Sequence, residues 1–248
     1  MSSNALIKAL EVLEAFQKSR DALSVKEVAD LNEETQSSVQ RSVYTLETLG
    51  FLEREDAGKR YVPGRACLRP VYGYLRSNRF LETATPYLID LSERFSTRAD
   101  LTVLDGTEIV YLSRIPSRDE LLNLSPLGRR WPAIQTALGR AILAAMSESE
   151  RERVIANSEI QKITAHSLSS YEEISDAIVE SQETGYAYQS EEVLLGAASV
   201  GAAVVGADGN VHGAIILGGP TETFNDADKR RLFGSAVRQA AQAIGVYL

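Results

Sequence analysis

The feature that most constrains the fold of this chain is the segment at residues 35–50, TQSSVQRSVYTLETLG. Its apolar residues recur at three- and four-residue steps, which places them on one side of a helix. They are Val39, Val43, Leu46 and Leu49. The opposite side is polar and basic, and its side chains suit the base edges and phosphates of DNA. The pattern therefore predicts a helix that packs with one face and enters a DNA major groove with the other.

The segments around this helix predict a winged helix-turn-helix. Residues 4–18 have the spacing of an amphipathic helix, and Ser24 and Glu27 have the spacing of a capping box that starts a short second helix. Residues 51–54 and 60–62 are typical of two short strands in a hairpin. Three helices followed by a hairpin is the plan of this DNA-binding fold. The predicted DNA-contacting residues are Ser24, Gln36, Ser37, Ser38, Gln40, Arg41, Tyr44, Arg54, Lys59 and Arg60.

The charge balance leaves two classes of function open. Residues 1–65 hold nine Lys or Arg against eleven Asp or Glu, a poor balance for a phosphate binder. This supports an alternative, a metabolite-binding protein without specific DNA binding. Arg54, Lys59 and Arg60 cluster on the hairpin, however, where they are expected to hold phosphates. Arg41 is the first residue we expect to contact DNA, either at a guanine edge or at a phosphate.

Other features of the composition exclude several classes. Cys67 is the only cysteine, so an internal disulfide is impossible, and the two histidines show no metal-ligand spacing. We therefore predict no metal and no cofactor. The sequence contains neither a Gly-x-Ser-x-Gly elbow nor a phosphate-binding glycine loop, which argues against an enzyme. Its apolar runs are too short to span a bilayer and the N-terminus lacks a signal-peptide core, so we expect a cytoplasmic protein without membrane contact.

The C-terminal half predicts an antiparallel sheet with helices on its faces, which makes the whole chain an α/β protein of the α+β type. Asp105-Gly106 lies between two alternating runs, a strong hairpin signal, and Ser147 and Ser170 each precede a glutamate at capping-box spacing. The predicted strands are residues 99–105, 109–115, 121–124, 186–190, 198–205 and 211–217. The predicted helices are residues 81–95, 134–146, 147–157, 171–184 and 225–247, with a loop at 125–132. The predicted domains are residues 1–65 and 81–248, joined by a linker helix at 66–80.

With its segments in this order, the chain resembles the IclR family of bacterial transcription regulators. The motifs that carry the resemblance are Ser24-x-x-Glu27-Val28-Ala29, Ser37-Ser38-Val39-Gln40-Arg41, Leu46-x-x-Leu49-Gly50, Pro126-Leu127-Gly128, Trp131-Pro132, Thr136-Ala137-Leu138-Gly139-Arg140-Ala141 and Ile216-Leu217-Gly218-Gly219-Pro220. The resemblance implies a C-terminal GAF-like effector-binding domain and a homodimer or dimer of dimers that binds a palindromic operator in double-stranded DNA. It also implies regulation of a catabolic operon by a small-molecule effector, and a repressor rather than an activator.

Several positions depart from the family's pattern of effector binding. The resemblance places Ile134 where a histidine is common, Ser199 at a common cysteine, Gln189 at an acidic residue, and Ile216 and Gly218 at hydroxyl residues. Gln189 cannot ionise, and the last two offer no side-chain hydrogen bond. We therefore expect a larger, partly apolar effector, such as an organic or aromatic acid, a lactone or an amide. Its predicted contacts are Leu124, Gly128, Trp131, Ile134, Ala137, Leu138, Gln189, Ser199, Ile216 and Gly218, with the backbone N–H groups of Gly128, Ala137 and Leu138 holding oxygens.

The turn before the predicted groove-binding helix also departs from the family's usual residues. It reads Glu33-Glu34-Thr35-Gln36 here, where the family usually has Gly-Leu-Pro-Lys. Two carboxylates and a missing lysine near phosphates are expected to weaken non-specific DNA affinity.

Overall fold

The structure, a computed structural model, describes residues 2–19, 21–55, 58–117 and 127–248. It divides into two compact units, Met1–Ser77 and Asn78–Leu248. The boundary falls inside the connector predicted for residues 66–80. Among the described helices, none is both long enough and apolar enough to cross a membrane.

The N-terminal unit combines helices with a small antiparallel sheet whose strand order is β1-β3-β2. Its elements are α1 (Asn4–Ala15), β1 (Leu23–Ser24), α2 (Val25–Leu31), α3 (Gln36–Thr48), β2 (Leu52–Arg54), β3 (Arg60–Pro63) and α4 (Leu68–Ser77). The predicted helices and hairpin strands are confirmed. Strand β1, which the sequence analysis does not predict, pairs Leu23 with Tyr61 and Ser24 with Arg60. Pro70 is accommodated in α4 because it lies in the first turn, where its missing N–H is not needed.

The core of this unit explains the position of α3. Val39, Val43 and Leu46 are buried against residues of α1, α2 and the sheet, as the periodicity predicts. Leu49 departs from the prediction, since it lies at the end of the helix and its side chain is 55% exposed. Gly50 follows with a φ of +77°, the left-handed conformation that suits glycine after a helix.

The capping box at the start of α2 is confirmed. The Ser24 Oγ accepts the backbone N–H of Glu27, and the Ser24 backbone N–H donates to the Glu27 carboxylate at 2.7 Å. These hydrogen bonds from Ser24, followed by the nearby Arg60 guanidinium, lower the pKa of Glu27 below its ordinary value of 4.5. The box therefore makes the stability of this helix dependent on the ionised form of Glu27.

Replacing Ser24 by alanine will destabilise α2 by about 1 kcal/mol. Because the pKa of Glu27 is lower in the folded state, its contribution is complete above pH 4.5 and is lost as the pH falls through the folded-state value. Amide hydrogen exchange of α2 will therefore accelerate in acid in the natural chain, and this acid response will shrink in Glu27→Gln. The control is Ser170→Ala, which removes the matching cap in the other unit. If exchange in α2 accelerates as much in Ser170→Ala as in Ser24→Ala, the role of the Ser24–Glu27 capping box in α2 is contradicted.

The C-terminal unit is built on a six-stranded sheet of the order β6-β5-β4-β9-β8-β7, and all of its described pairs are antiparallel. Its strands are β4 (Arg98–Asp105), β5 (Glu108–Ile115), β6 (Arg130–Pro132), β7 (Ala187–Ser190), β8 (Ala197–Val205) and β9 (Val211–Pro220). Its helices are α5 (Arg79–Phe95), α6 (Ala137–Ala145), α7 (Glu148–Ala156), α8 (Tyr171–Thr184), α9 (Thr221–Phe224) and α10 (Ala227–Gly245). The predicted antiparallel sheet with helices is confirmed.

Three local predictions for this unit need correction. Residues 130–132 form a strand, β6, within the predicted loop 125–132, because they pair with β5 at the edge of the sheet. The predicted capping box at Ser147 is wrong: the hydroxyl donates to the Glu150 carboxylate at 2.6 Å and caps no backbone N–H. The last long helix begins after Asp226, whose side chain accepts two backbone N–H groups, rather than at Asn225. The strand predicted at residues 121–124 lies outside the described residues.

The two faces of the sheet carry separate apolar cores. One face packs against α5, α9 and α10, and the other packs against α6 and α8. Ala214 and Ile216 of β9 belong to the second core, and Ile215 and Leu217 belong to the first. Because side chains alternate along a strand, this assignment also decides which polar residues of neighbouring strands face α6.

Candidate DNA-binding surface and effector-binding face

The outer face of α3 is polar and exposed. Its exposed predicted contacts are Gln36, Ser37, Gln40, Arg41 and Tyr44. The guanidinium of Arg41 makes no hydrogen bond or ion pair with any residue that the structure describes. Since an exposed, unpaired guanidinium can form two parallel hydrogen bonds to a guanine or bind a phosphate, α3 presents the chemistry that DNA recognition requires.

Part of the negative charge in the turn before α3 is neutralised by an ion pair. Glu34 forms an ion pair with Lys8 of α1 at 2.6 Å, and the hydrogen bond from Lys8 lowers the pKa of Glu34. Lys8 also donates to the Ser38 hydroxyl at 3.3 Å, so Ser38 is only half exposed. Glu33 adopts a φ of +53°, a left-handed conformation. That conformation favours glycine, which is the residue usual at this position in the family that the chain resembles.

Glu33→Gly will therefore stabilise the N-terminal unit by roughly 0.5–1 kcal/mol, because it relieves the left-handed strain. It will also raise non-specific DNA affinity at low salt, since one carboxylate is removed. Glu33→Gln is the matched control, because it removes the charge and keeps the strain. Thermal unfolding and low-salt DNA titrations will separate the two effects, and equal stability of both variants would contradict the strain argument.

The basic residues of the hairpin are largely engaged within the unit. Arg54 pairs with Glu47 at 2.6 Å, and Arg60 pairs with Glu27 at 3.0 Å while donating to the Ala22 carbonyl. Both side chains remain about half exposed, at 51% and 47%. Their predicted phosphate contacts must therefore be made alongside these ion pairs. Lys59 is exposed, and its ammonium makes no ion pair with the described residues.

Ser24 is also committed to local structure, because its oxygen and its N–H both serve the capping box. Its hydroxyl hydrogen remains the group that can reach a phosphate.

In the C-terminal unit, strand register brings several predicted effector residues together. Gln189 lies opposite Ser199, Ser199 lies opposite Gly218, and Gly218 lies opposite Arg98. This row crosses β7, β8, β9 and β4 on the face that packs against α6. Ile216 occupies the neighbouring row, and its buried side chain joins the same core as Ile134, Ala137 and Leu138. The predicted set is thus partly assembled at one place.

The start of α6 leaves backbone donors available beside this core. Thr136 caps the helix by accepting the N–H of Gly139 at 3.0 Å. The N–H groups of Ala137 and Leu138 donate to none of the described residues. They remain candidates to bind an oxygen of a ligand at a helix N-terminus.

Other members of the predicted set do not join this row. The Gly128 N–H donates to the Tyr111 carbonyl at 2.9 Å, so the expectation that it holds a ligand oxygen is corrected. Trp131 lies on the edge strand β6 opposite Ile109, with the Arg129 guanidinium 4.6 Å from its ring centre. Leu124 lies outside the described residues.

A charged cluster on the same face was not predicted from the sequence. Asp100 of β4 is fully buried and accepts two hydrogen bonds from Arg114, at 2.7 and 3.1 Å, and a longer one from Arg98 at 3.4 Å. Burial raises the pKa of the nearby Tyr111 hydroxyl to about 12, and the Asp100 carboxylate acts in the same direction. The sequence does contain a signal for this cluster, because Arg98, Asp100 and Thr102 alternate with apolar residues and therefore share one face of the strand.

The two units therefore define a class of protein: a winged helix-turn-helix DNA-binding unit joined to a ligand-binding α/β unit, as in ligand-responsive transcription regulators. A family profile described as "Bacterial transcriptional regulator IclR C-terminal" matches residues 72–246, and one described as "IclR helix-turn-helix domain" matches residues 5–56. The chain belongs to the IclR family of transcription regulators. Both profiles describe transcription regulators, and so do the names of the relatives that match.

Individual relatives agree with this assignment over nearly the whole chain. The HTH-type transcriptional regulator XynR of Escherichia coli is 26% identical over 96% of this chain and 94% of its own length. The crystal structure of the Thermotoga maritima IclR is 26% identical and superposes with a TM-score of 0.74, covering 98% of this chain and 97% of that one. An IclR homolog from Microbacterium hydrocarbonoxydans, complexed with 4-hydroxybenzoate, is 20% identical, has a TM-score of 0.79 and covers 98% of both chains.

Proposed function

We propose that this regulator represses a catabolic operon and that a partly apolar organic acid, bound in the C-terminal unit, alters its affinity for a palindromic operator. The observation that carries the DNA-binding part is the exposed outer face of α3 with the unpaired guanidinium of Arg41. The predicted partner residues Gln36, Ser37 and Gln40 surround it on the same helix. Such a protein acts on cytoplasmic DNA.

The excess of acidic over basic residues in residues 1–65 is only a weak argument against DNA binding. Four of the glutamates in this unit, Glu27, Glu34, Glu47 and Glu53, are paired with arginine or lysine side chains. None of these ion pairs involves Arg41. The outer face of α3 therefore keeps its positive charge although the unit as a whole is slightly acidic.

A homodimer is supported by apolar side chains that the N-terminal unit leaves exposed. Helix α4 buries none of its residues within the described chain, and Leu68 and Tyr72 are each 66% exposed. Leu6 and Leu10 on α1 are also more than half exposed. Leu68 and Tyr72 lie one helical turn apart on α4, and groups of exposed apolar side chains are typical of protein interfaces. A two-fold dimer would present two copies of α3 to a two-fold DNA site.

An aromatic or other partly apolar acid is supported by the face that bears Gln189, Ser199 and Gly218. Ile216, Ile134 and Leu138 provide apolar neighbours there. The solved IclR homolog from Microbacterium hydrocarbonoxydans is complexed with 4-hydroxybenzoate, which supports this choice of ligand class. One relative is a Pca regulon regulatory protein of Pseudomonas putida, 26% identical over 85% of this chain and 72% of its own length.

A mobility-shift assay on the DNA upstream of the chain's own gene tests this function. We expect a discrete shifted complex that resists non-specific competitor DNA and whose affinity changes when 4-hydroxybenzoate or a related acid is added. A shift that no acid in a broad panel changes would contradict the effector assignment. The absence of any specific complex at low salt would favour the alternative, a metabolite-binding protein without specific DNA binding.

A further inference from the structure

Lys8 of α1 lies next to α3, although it is not among the predicted DNA contacts. It comes one helical turn before Val12, whose buried side chain packs in the same core as Val39 of α3. The Lys8 side chain therefore points toward α3, and its ammonium lies 3.3 Å from the Ser38 hydroxyl. Ser38 is only half exposed, and its neighbour Ser37 is exposed. The ammonium thus lies at the margin of the outer face of α3.

The positive charge of Lys8 is neutralised by Glu34, which lies in the turn before α3. Lys8 Nζ is 2.6 Å from Glu34 Oε1, and Glu34 is the only carboxylate among the described residues with which it pairs. The hydrogen bond from Lys8 lowers the pKa of Glu34, so this carboxylate is ionised throughout the neutral range. Together the two side chains add no net charge to the surface beside α3.

This ion pair remains accessible from the solvent. The side chains of Lys8 and Glu34 are 32% and 27% exposed. An ammonium has three N–H donors, and for Lys8 two of them reach Glu34 and Ser38, while the third has no acceptor among the described residues. The four-carbon stem of a lysine is flexible, so the ammonium can turn from the carboxylate to another anion nearby. Partly exposed ion pairs contribute little to stability, so the fold does not depend on this one.

Glu33 offers a direct comparison with Glu34. Both residues lie in the turn before α3, but Glu33 is exposed and forms no ion pair with the part of the chain that the structure describes. Its carboxylate repels a nearby phosphate only through its own charge, whereas the Glu34 carboxylate also occupies a cation. The two carboxylates are therefore expected to affect DNA binding in different ways.

We propose that Lys8 is a further phosphate-contacting residue and that Glu34 withholds it from DNA. A phosphate beside the first turn of α3 comes within reach of the Lys8 ammonium, and the Glu34 carboxylate competes with that phosphate for the same cation. Because phosphate contacts strengthen binding to every sequence, this competition lowers the affinity for DNA outside the operator. The inference rests on the proposed binding of DNA through α3, and it adds a residue of α1 to that surface.

Salt titrations of the full-length chain with a random-sequence duplex test this proposal. The slope of log K against log salt concentration counts the phosphates that the protein neutralises, at about 0.9 for each phosphate of double-stranded DNA. Glu34→Gln keeps an oxygen that can accept from Lys8 but removes the charge that holds the ammonium. We expect the slope to steepen by about 0.9 and the affinity at low salt to rise by roughly 3- to 15-fold.

Two variants separate the release of Lys8 from a general loss of negative charge. Glu33→Gln removes a carboxylate that holds no cation, so we expect a gain in affinity of less than about threefold and the slope of the natural chain. The double variant Lys8→Gln/Glu34→Gln has the same net charge as the natural chain. We expect its slope to return to that of the natural chain, because the released cation is missing.

Three results would overturn the role of Lys8: an unchanged slope in Glu34→Gln, an equal steepening in Glu33→Gln, or a steeper slope that persists in the double variant. The slope does not depend on the fraction of protein that is folded, so a small change in stability does not imitate the expected result. If the natural chain binds the duplex and one of these results is obtained, only this inference fails. If the natural chain does not bind DNA even at low salt, the proposed function fails as well.

Discussion

Replacing Arg41 by alanine will weaken specific operator binding by about 1–3 kcal/mol, or roughly 5- to 150-fold, without changing the stability of the N-terminal unit. The reason is geometric. The guanidinium lies on the exposed face of α3, away from the buried residues Val39 and Val43, and pairs with none of the described side chains. Its removal therefore costs no internal contact, and the loss of affinity reports the contact with DNA alone.

The dependence on sequence and salt will show what Arg41 contacts. If it reads a guanine edge, Arg41→Ala will reduce specific binding and leave non-specific binding and its salt dependence almost unchanged. If it binds a phosphate, both kinds of binding will weaken and the salt slope will fall by about 1. Lys18→Ala, which removes an exposed charge outside the predicted contacts, is the control. Undiminished specific binding by Arg41→Ala would show that this residue is not a DNA contact.

Replacing Arg140 by alanine will destabilise the C-terminal unit by about 3–5 kcal/mol, because it leaves the Glu192 carboxylate buried without its partner. Arg140 is 1% exposed and donates to both oxygens of Glu192, at 2.6 and 2.9 Å. It also donates to the Tyr188 carbonyl at 3.0 Å. These bonds join α6 to β7 and hold the segment next to Gln189.

The double variant Arg140→Met/Glu192→Leu distinguishes a buried charge from a general packing defect. Removal of both charged groups will restore much of the lost stability, since an apolar pair of similar volume replaces the ion pair. Denaturant unfolding followed by the fluorescence of Trp131, the only tryptophan, measures each variant. A cost below about 1 kcal/mol for Arg140→Ala, a value typical of exposed ion pairs, would contradict the account.

The sequence predicts the elements that depend on local interactions. The period of residues 35–50 and the Ser24–Glu27 and Ser170–Glu173 pairs each depend on neighbours three or four residues apart. Each is found as predicted, except that Leu49 at the end of α3 is exposed. Ser147 shows the limit of such a motif, because its hydroxyl bonds the glutamate side chain in preference to the backbone. The spacing of a serine and a glutamate permits a capping box, but it does not prevent the two side chains from bonding to each other instead.

The elements that depend on distant pairing are the ones the sequence leaves out. Strands β1 and β6 have only two and three residues, and they are strands because β3 and β5 lie beside them. Arg98 likewise meets Gly218 only through the pairing of β4 with β9, 120 positions apart in the chain. The sequence shows the alternation of polar residues on β4, but it does not show which residues of the neighbouring strands lie opposite them.

The spacing of the two DNA half-sites tests the central claim most directly. We expect footprinting on the upstream DNA to show two protected half-sites of inverted sequence whose centres are about one helical turn apart or a multiple of it, because a two-fold dimer would place its two α3 helices on one side of the duplex. Protection without two-fold symmetry, or no protection at low salt, would contradict a dimeric winged helix-turn-helix regulator that recognises DNA through α3.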